Sequence, residues 1–350
     1  MLTIGASQIK LLEKLCNAAA VSGDEGEVRK IVLEEVKPLA DEVKVDALGN
    51  VLVTKPGTGR NRPRVLLDAH MDEVGFMIVA DDGEGLYQFE TVGGIDTRHL
   101  VGKQVVVGKD HLVGVIGAKP IHLLDVDEFT RKVSLDSMRI DLGPGGKAKV
   151  GDRATFATKF QRVGPSILSK AIDDRIGVAI LIELLKNAPV NVDLCLAFSV
   201  QEEIGLRGAK VAAHFFDPDL AFAIDSTPAH DLPTHDGREN IFYNARLGFG
   251  PAIYIADGST LHDPRLVRFL QETAEGAGIQ YQFRQPGGGG TDAGAIQRTR
   301  TGIPTVSVSV PHRYTHSPIS ISRVEDWKNT LNLLHIALGL VTKSLVTTRN

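Results

Sequence analysis

Eight residues of this 350-residue chain carry side chains suited to binding cations and moving protons: His70, Asp72, Asp173, Asp174, Glu202, Glu203, Asp225 and His316. Taken singly, each has an ordinary explanation. His70 could be a hydrogen-bonded core histidine, and Asp225 could close a turn. Asp173-Asp174 and Glu202-Glu203 could cap the helices that follow them. His316, in Tyr314-Thr-His-Ser-Pro318, could be a surface loop residue. The coincidence is harder to explain, because all of them fall where predicted strands give way to loops. In open α/β sheets, the carboxyl ends of strands are where ligands and catalytic groups collect. Adjacent carboxylates repel, so one of a pair needs a metal or a proton. Nitrogen and oxygen donors without cysteine suit zinc, cobalt or manganese. Two imidazoles and three carboxylates are enough for two ions with one carboxylate bridging them.

The elements that position these residues follow from hydrophobic periodicity. Ser7 is placed to cap a first helix, and a second spans about 25–39. Val43–Asp46 and Val51–Val53 flank Ala-Leu-Gly-Asn and read as a hairpin. Arg64–Ala69 reads as a core strand that delivers His70 and Asp72. The apolar run 192–200 reads as a buried parallel strand ending at Glu202-Glu203. Leu220–Asp225 and Thr305–Val310 read as further strands, and 171–185, 264–277 and 324–341 as helices. This alternation predicts a mixed, mostly parallel sheet covered by helices on both faces. Between 74 and 163 the texture changes to short apolar runs and Gly-rich turns, which predicts an inserted small β-barrel or sandwich. The expected division is residues 1–73 and 164–350 in one domain and 74–163 in the insertion.

Composition excludes other roles. The net charge of −4 gives no reason to expect nucleic acid or an anionic membrane surface as partner. Cys16 and Cys195 lie in apolar runs and read as small core residues. No apolar run reaches membrane-spanning length, and the first residues lack a leader-type apolar stretch, so a cytoplasmic location is expected. There is no His-Glu-x-x-His or Gly-x-Ser-x-Gly, and Gly287–Gly290 lacks the lysine of a phosphate-binding loop.

His70-Met-Asp72, Ala171-Ile-Asp-Asp-Arg175, Glu202-Glu203-Ile-Gly-Leu-Arg-Gly208, Asp225 and Arg313-Tyr-Thr-His-Ser-Pro318 occur in that order. Together they resemble the cytosolic di-metal aminopeptidases of the glutamyl aminopeptidase and tetrahedral (TET) type. Gly117–Leu124, Val150-Gly-Asp152 and Gly289–Gly294 extend the resemblance over nearly the whole chain. The resemblance implies a zinc-exopeptidase-like fold and two divalent ions per subunit, zinc or cobalt, with manganese also compatible. His70 and Asp225 would hold one ion, Glu203 and His316 the other, and Asp173 would bridge them. It also implies a cis peptide between Asp173 and Asp174. Asp72 would hydrogen-bond the far nitrogen of His70. Glu202, free of metal, would act as general base towards a metal-bridging water.

The expected activity is removal of N-terminal residues from short peptides with a free N-terminus. The insertion resembles the family's dimerisation domain, whose dimers can build dodecamers. Two other readings compete: a di-metal deacylase acting on a small amide or amino sugar, and an inactive scaffold. His230 and His235, after Asp225, are extra histidines that read as inert loop residues before they read as substrate contacts.

Overall fold

The computed structural model describes residues 1–285 and 287–347. Its largest element is a sheet of eleven strands. Four parallel strands form the middle, in the order Asp193–Ser199, Arg64–His70, Leu220–Pro228 and Thr305–Arg313. Antiparallel strands extend both sides. Val51–Lys55 and Glu42–Val45 lie beyond Asp193–Ser199. Ser320–Arg323, Ser166–Ser169 and Gln161–Val163 lie beyond Thr305–Arg313. Ala252–Tyr254 also joins Thr305–Arg313 and carries Gln282–Arg284 in parallel beside it.

The central strands are buried along almost their whole length because both of their faces are covered. Successive residues alternate between two cores, as the two-residue period of a strand requires. Val65, Leu67, Leu194, Leu196 and Phe222 pack with the helices Ala6–Asn17, Gly26–Val36, Ile172–Lys186, Pro264–Ala277 and Val324–Leu340. Leu66, Cys195, Ala197, Ala221 and Ala223 face the helices Arg207–Phe216 and Ala293–Ile296. The helix Ile172–Lys186 is buried along nearly its whole length, which explains why it is apolar on every side. Cys16 and Cys195 are buried and free, one in each core.

A closed antiparallel barrel is inserted directly after the strand that ends at His70. Its strands run Gly75–Gly83, Leu86–Val92, Arg139–Asp141, Leu112–Gly117, Gln104–Val107 and Arg153–Phe156, the last pairing back to the first. Closure leaves no free sheet edge. Phe76 anchors the interior, with Phe89 and Phe156 each edge-on to it at 5.3 Å.

Three local expectations change. The first helix begins before Ser7, with Gly5 at its cap and the Gln8 side chain accepting from the Gly5 N–H. The second ends at Val36 rather than near 39. Gln161–Val163, expected in the insertion, is an edge strand of the large sheet, paired with Ser166–Ser169. Its apolar content was too small to mark which sheet it joins.

Candidate metal centre and active site

The four parallel strands deliver His70, Glu202-Glu203, Asp225 and His316 to one carboxyl edge. Ser199 pairs with His70, and Ala223 pairs with Asp68, so two residues further on Asp225 stands level with His70. Asp173 arrives from the start of the helix Ile172–Lys186, where Asp173 and Asp174 depart from helical geometry and are joined by a cis peptide bond. This bend separates two jobs. Asp174 turns inward and accepts from the Gly177 N–H at 3.0 Å, so it caps the helix. Asp173 points into the cleft between the two histidines.

Two groups of donors result. His70, Asp173 and Asp225 can bring their ligand atoms within 4.8 Å of one another, and so can Asp173, Glu203 and His316. Asp173 belongs to both. Its Oδ1 is 3.3 Å from His70 Nε2, and its Oδ2 is 3.6 Å from His316 Nε2. His316 Nε2 is also 3.1 Å from Glu203 Oε2, and His70 Nε2 is 3.9 Å from Asp225 Oδ1. The remaining ring nitrogens point away from the cleft. His316 Nδ1 donates to the Gly94 carbonyl at 2.8 Å, leaving Nε2 as the free donor atom.

His70 Nδ1 lies 3.1 Å from the main-chain carbonyl of Asp72 and 3.6 Å from its carboxylate. The contact expected from the Asp72 side chain is therefore made by its backbone. The Asp72 carboxylate instead accepts from the Glu202 and Glu203 N–H groups, at 3.0 and 3.2 Å, and from the Ser22 hydroxyl at 2.6 Å. These bonds hold the turn that presents both glutamates. Neither glutamate caps the helix Arg207–Phe216, whose first turn contains no acidic residue. Positive φ at Ala171, Gln201, Leu206, Tyr314 and His316 surrounds the same centre. Strained backbone of this kind persists where the surroundings enforce a functional geometry.

Charge explains why this donor set suits cations. Burial pushes the carboxyls of Asp225 and Glu202 well above the ordinary range, reinforced by neighbouring acids. The imidazoles respond in the opposite sense. Burial disfavours a charged His316, yet Asp173 and Glu203 raise its pKa to about 11. His70 is likewise raised against its burial, chiefly by Asp173 and Asp72. Among the side chains alone, protonated imidazoles must serve as counter-ions to the carboxylates. Divalent cations would serve better and release those protons.

Supporting residues had little signal in the sequence. Glu73, next to Asp72, accepts from Lys170 at 2.8 and 2.9 Å, from Arg175 at 3.1 Å and from Thr155 of the barrel at 2.8 Å. Arg175 also donates to the Asp72 carbonyl at 3.3 Å. Below His70, the Ser199 hydroxyl sits between Asp68 and Asp292, at 3.1 and 2.9 Å. Position beside Asp72 and Asp173 was the one clue to Glu73 and Arg175. The cleft above the centre has a volume of about 380 Å³ and is also lined by Tyr254, Arg284 and Gly288–Gly290, but not by His230 or His235.

The architecture is that of the zinc-exopeptidase-like α/β fold. Residues 49–333 match the family described as M42 glutamyl aminopeptidase, and the chain belongs to it. Aminopeptidase activity, a hydrolysis, comes with that membership. The chain is 34% identical to a TET aminopeptidase from the marine sediment archaeon Thaumarchaeota archaeon SCGC AB-539-E09, with a TM-score of 0.92 over 97% of this chain and 98% of that one. It is 35% identical to the TET1 peptidase of Pyrococcus horikoshii, described as assembling into a tetrahedron or a large octahedral shell, with a TM-score of 0.81 over 94% and 98%. It is 32% identical to the lysyl aminopeptidase of Pyrococcus furiosus over 93% of this chain and 94% of that one.

Proposed function

We propose that the chain is a di-metal aminopeptidase that trims the N-terminal residue from short peptides. The observation that carries this reading is Asp173, shared by two donor groups, with Glu202 lining the same cleft and belonging to neither. His70 and Asp225 would hold one cation, Glu203 and His316 the other, and Asp173 both. Zinc or cobalt fits this nitrogen–oxygen set, and manganese is compatible. When bound, such cations supply Lewis-acid polarisation of the scissile carbonyl and make water at the site more acidic.

The chain's own residues do the rest. The Glu202 carboxylate takes a proton from the attacking water and passes it to the nitrogen of the leaving amine. Its main chain is held by Asp72 at 3.0 Å, so the base does not wander from the cleft. The substrate's free N-terminal amine would sit beside the cations and the carboxylates that hold them, which supports exopeptidase rather than mid-chain cleavage. The family description points to acidic N-terminal residues and the P. furiosus relative's name to a basic one. Family membership therefore leaves this preference open.

Self-assembly and a cytoplasmic location belong to the same proposal. Among the described residues, no helix is long and apolar enough to cross a membrane. The barrel segment between its strands Leu112–Gly117 and Arg139–Asp141 exposes Ile121, Leu123, Val126 and Phe129. An apolar ridge of this kind supports pairing with a second copy through the insertion.

The decisive assay compares free and N-acetylated peptides with the metal-loaded protein. Trimming of the free peptides alone is expected. Cleavage only of the blocked peptides would replace the aminopeptidase reading with the deacylase one, and no cleavage of either would favour a scaffold.

A further inference from the structure

We infer that Arg284 is a specificity-determining residue that reads a carboxylate on the substrate, an inference that rests on the peptide-trimming function proposed above. Arg284 ends the strand Gln282–Arg284 and lies directly beside Tyr254 in the parallel register. It lines the same cleft as His70, Asp173 and Glu202. The side chain is 4% exposed. Its Nε donates to the Thr227 hydroxyl at 3.2 Å, and its Nη2 donates to the Gly288 carbonyl at 3.0 Å. The guanidinium carbon sits 4.7 Å from the centre of the Tyr254 ring. Nη1 is buried and has no hydrogen-bond partner among the described residues.

The other arginines set around this region are differently placed. Arg175 is paired with Glu73, and Arg313 with Asp231. Arg284 makes no ion pair with a described residue. A guanidinium cannot shed its proton to relieve this, and its planar fork matches a carboxylate in a two-point contact. The contacts it does make fix its plane rather than neutralise it. Tyr254, Thr227 and the Gly288 carbonyl orient the fork, and the side chain lines the cleft with Nη1 unpaired among the described residues. Two divalent cations would balance Asp173, Glu202, Glu203 and Asp225 in formal charge. Arg284 would then be the uncompensated charge of the cleft, and a substrate carboxylate would be its complement.

Two parts of a short peptide could supply that group: the side chain of an acidic N-terminal residue, or the free C-terminal carboxylate of a dipeptide. Metal-loaded wild type, Arg284→Met and Arg284→Lys should be assayed on Glu, Gln and Leu anilides, and on Leu-Gly against Leu-Gly amide. The readout is a ratio of kcat/KM values, because a merely structural role for Arg284 lowers all substrates together and leaves ratios unchanged. Charge-assisted pairing predicts that wild type prefers one carboxylate-bearing substrate over its neutral partner by about 10- to 100-fold. Arg284→Met should bring that ratio close to one, and Arg284→Lys should restore part of it.

Collapse of the Glu/Gln ratio assigns the side-chain source, and collapse of the acid/amide ratio assigns the C-terminal source. Ratios near one in wild type, or ratios the variants leave unchanged, overturn the inference. If wild type trims none of these substrates, the peptide-trimming reading fails separately. Arg284 is then judged by calorimetric binding of free glutamate against glutamine and of Leu-Gly against Leu-Gly amide. A preference for the carboxylate-bearing member of either pair that disappears in Arg284→Met still supports the carboxylate site, and equal binding within both pairs overturns it.

Discussion

The carboxylate of Asp72 accepts the main-chain N–H of Glu202 at 3.0 Å while its own carbonyl faces the His70 ring at 3.1 Å. One residue therefore ties the end of one strand to the turn after the next. An amide at this position presents an N–H₂ group to N–H donors that need an acceptor. Asp72→Asn should lower kcat by about 10- to 100-fold, the usual effect of losing a residue that orients a metal ligand or its neighbours. Steady-state kinetics with parallel metal analysis checks this, and wild-type turnover would exclude the positioning role.

Glu202→Gln removes the proton acceptor while keeping size and most of the packing. Because Glu202 stands outside both donor groups, metal content should stay at the wild-type value. Turnover should fall by about 10²–10⁴-fold, the contribution of a well-placed general base. Elemental analysis beside single-turnover rates separates the two effects. A mutant close to wild-type activity would move the base assignment elsewhere.

His316→Ala should weaken one cation site preferentially. His316 contributes to the group with Glu203, whereas His70 and Asp225 form the other with the shared Asp173. Zinc titration followed by calorimetry should show one tight site retained and one weakened. Two tight ions would contradict the ligand role of His316.

Gly93 is where the barrel meets this centre. Its φ is +84°, and a Cβ there would lie 2.8 Å from Val74 Cγ1 and 3.4 Å from Glu203 Cβ. A side chain is disfavoured both by the backbone and by the neighbours. Gly93→Ala should cost about 1 kcal/mol or more in stability, seen as a lower Tm. It should also reduce activity, because the next residue, Gly94, orients the His316 ring. An unchanged Tm with full activity would show that the barrel rim does not constrain the centre.

Glu73 gives the acid stability a defined sign. Burial alone would raise its carboxyl, but Lys170 and Arg175 outweigh burial and hold it below the ordinary 4.5. Lys170 is lowered, first by burial and then by the like charge of Arg175, against the pull of Glu73. A carboxyl with a depressed folded pKa stabilises fully above its unfolded pKa and loses that contribution as pH falls through the folded value. Glu73→Gln should cost about 3–5 kcal/mol near neutral pH, since it strands two buried cations. The gap from wild type should narrow below about pH 4.5. Denaturant titrations across that range check it, and a constant gap would remove Glu73 as the source.

Local pattern determined a good deal by itself. The runs 192–200 and 220–225 were legible as strands because burial on both faces demands nearly continuous apolar sequence, whereas 305–310 alternates Val with Thr or Ser. The helix Pro264–Ala277 was legible from its periodicity, and the fold adds its cap, with Asp263 accepting from the Arg265 N–H at its start. The donors His70, Asp173, Glu203, Asp225 and His316 were legible as types at strand ends, and their order carried the family resemblance.

What needed the tertiary structure was everything set by approach between distant segments. Spacing and residue type do not distinguish Asp173 from Asp174, and only the family resemblance singled out Asp173; in the fold Asp173 enters the cleft and Asp174 caps its own helix. Nothing around Gly94 announces that its carbonyl will orient a histidine 222 residues away. Nothing in the sequence marks Arg284, and its role emerges only where Tyr254, Thr227 and the Gly288 carbonyl close around it. Side-chain period and residue type are local properties and survive in one dimension. Which donor faces which acceptor depends on how the strands and the barrel pack, and that exists only in the folded chain.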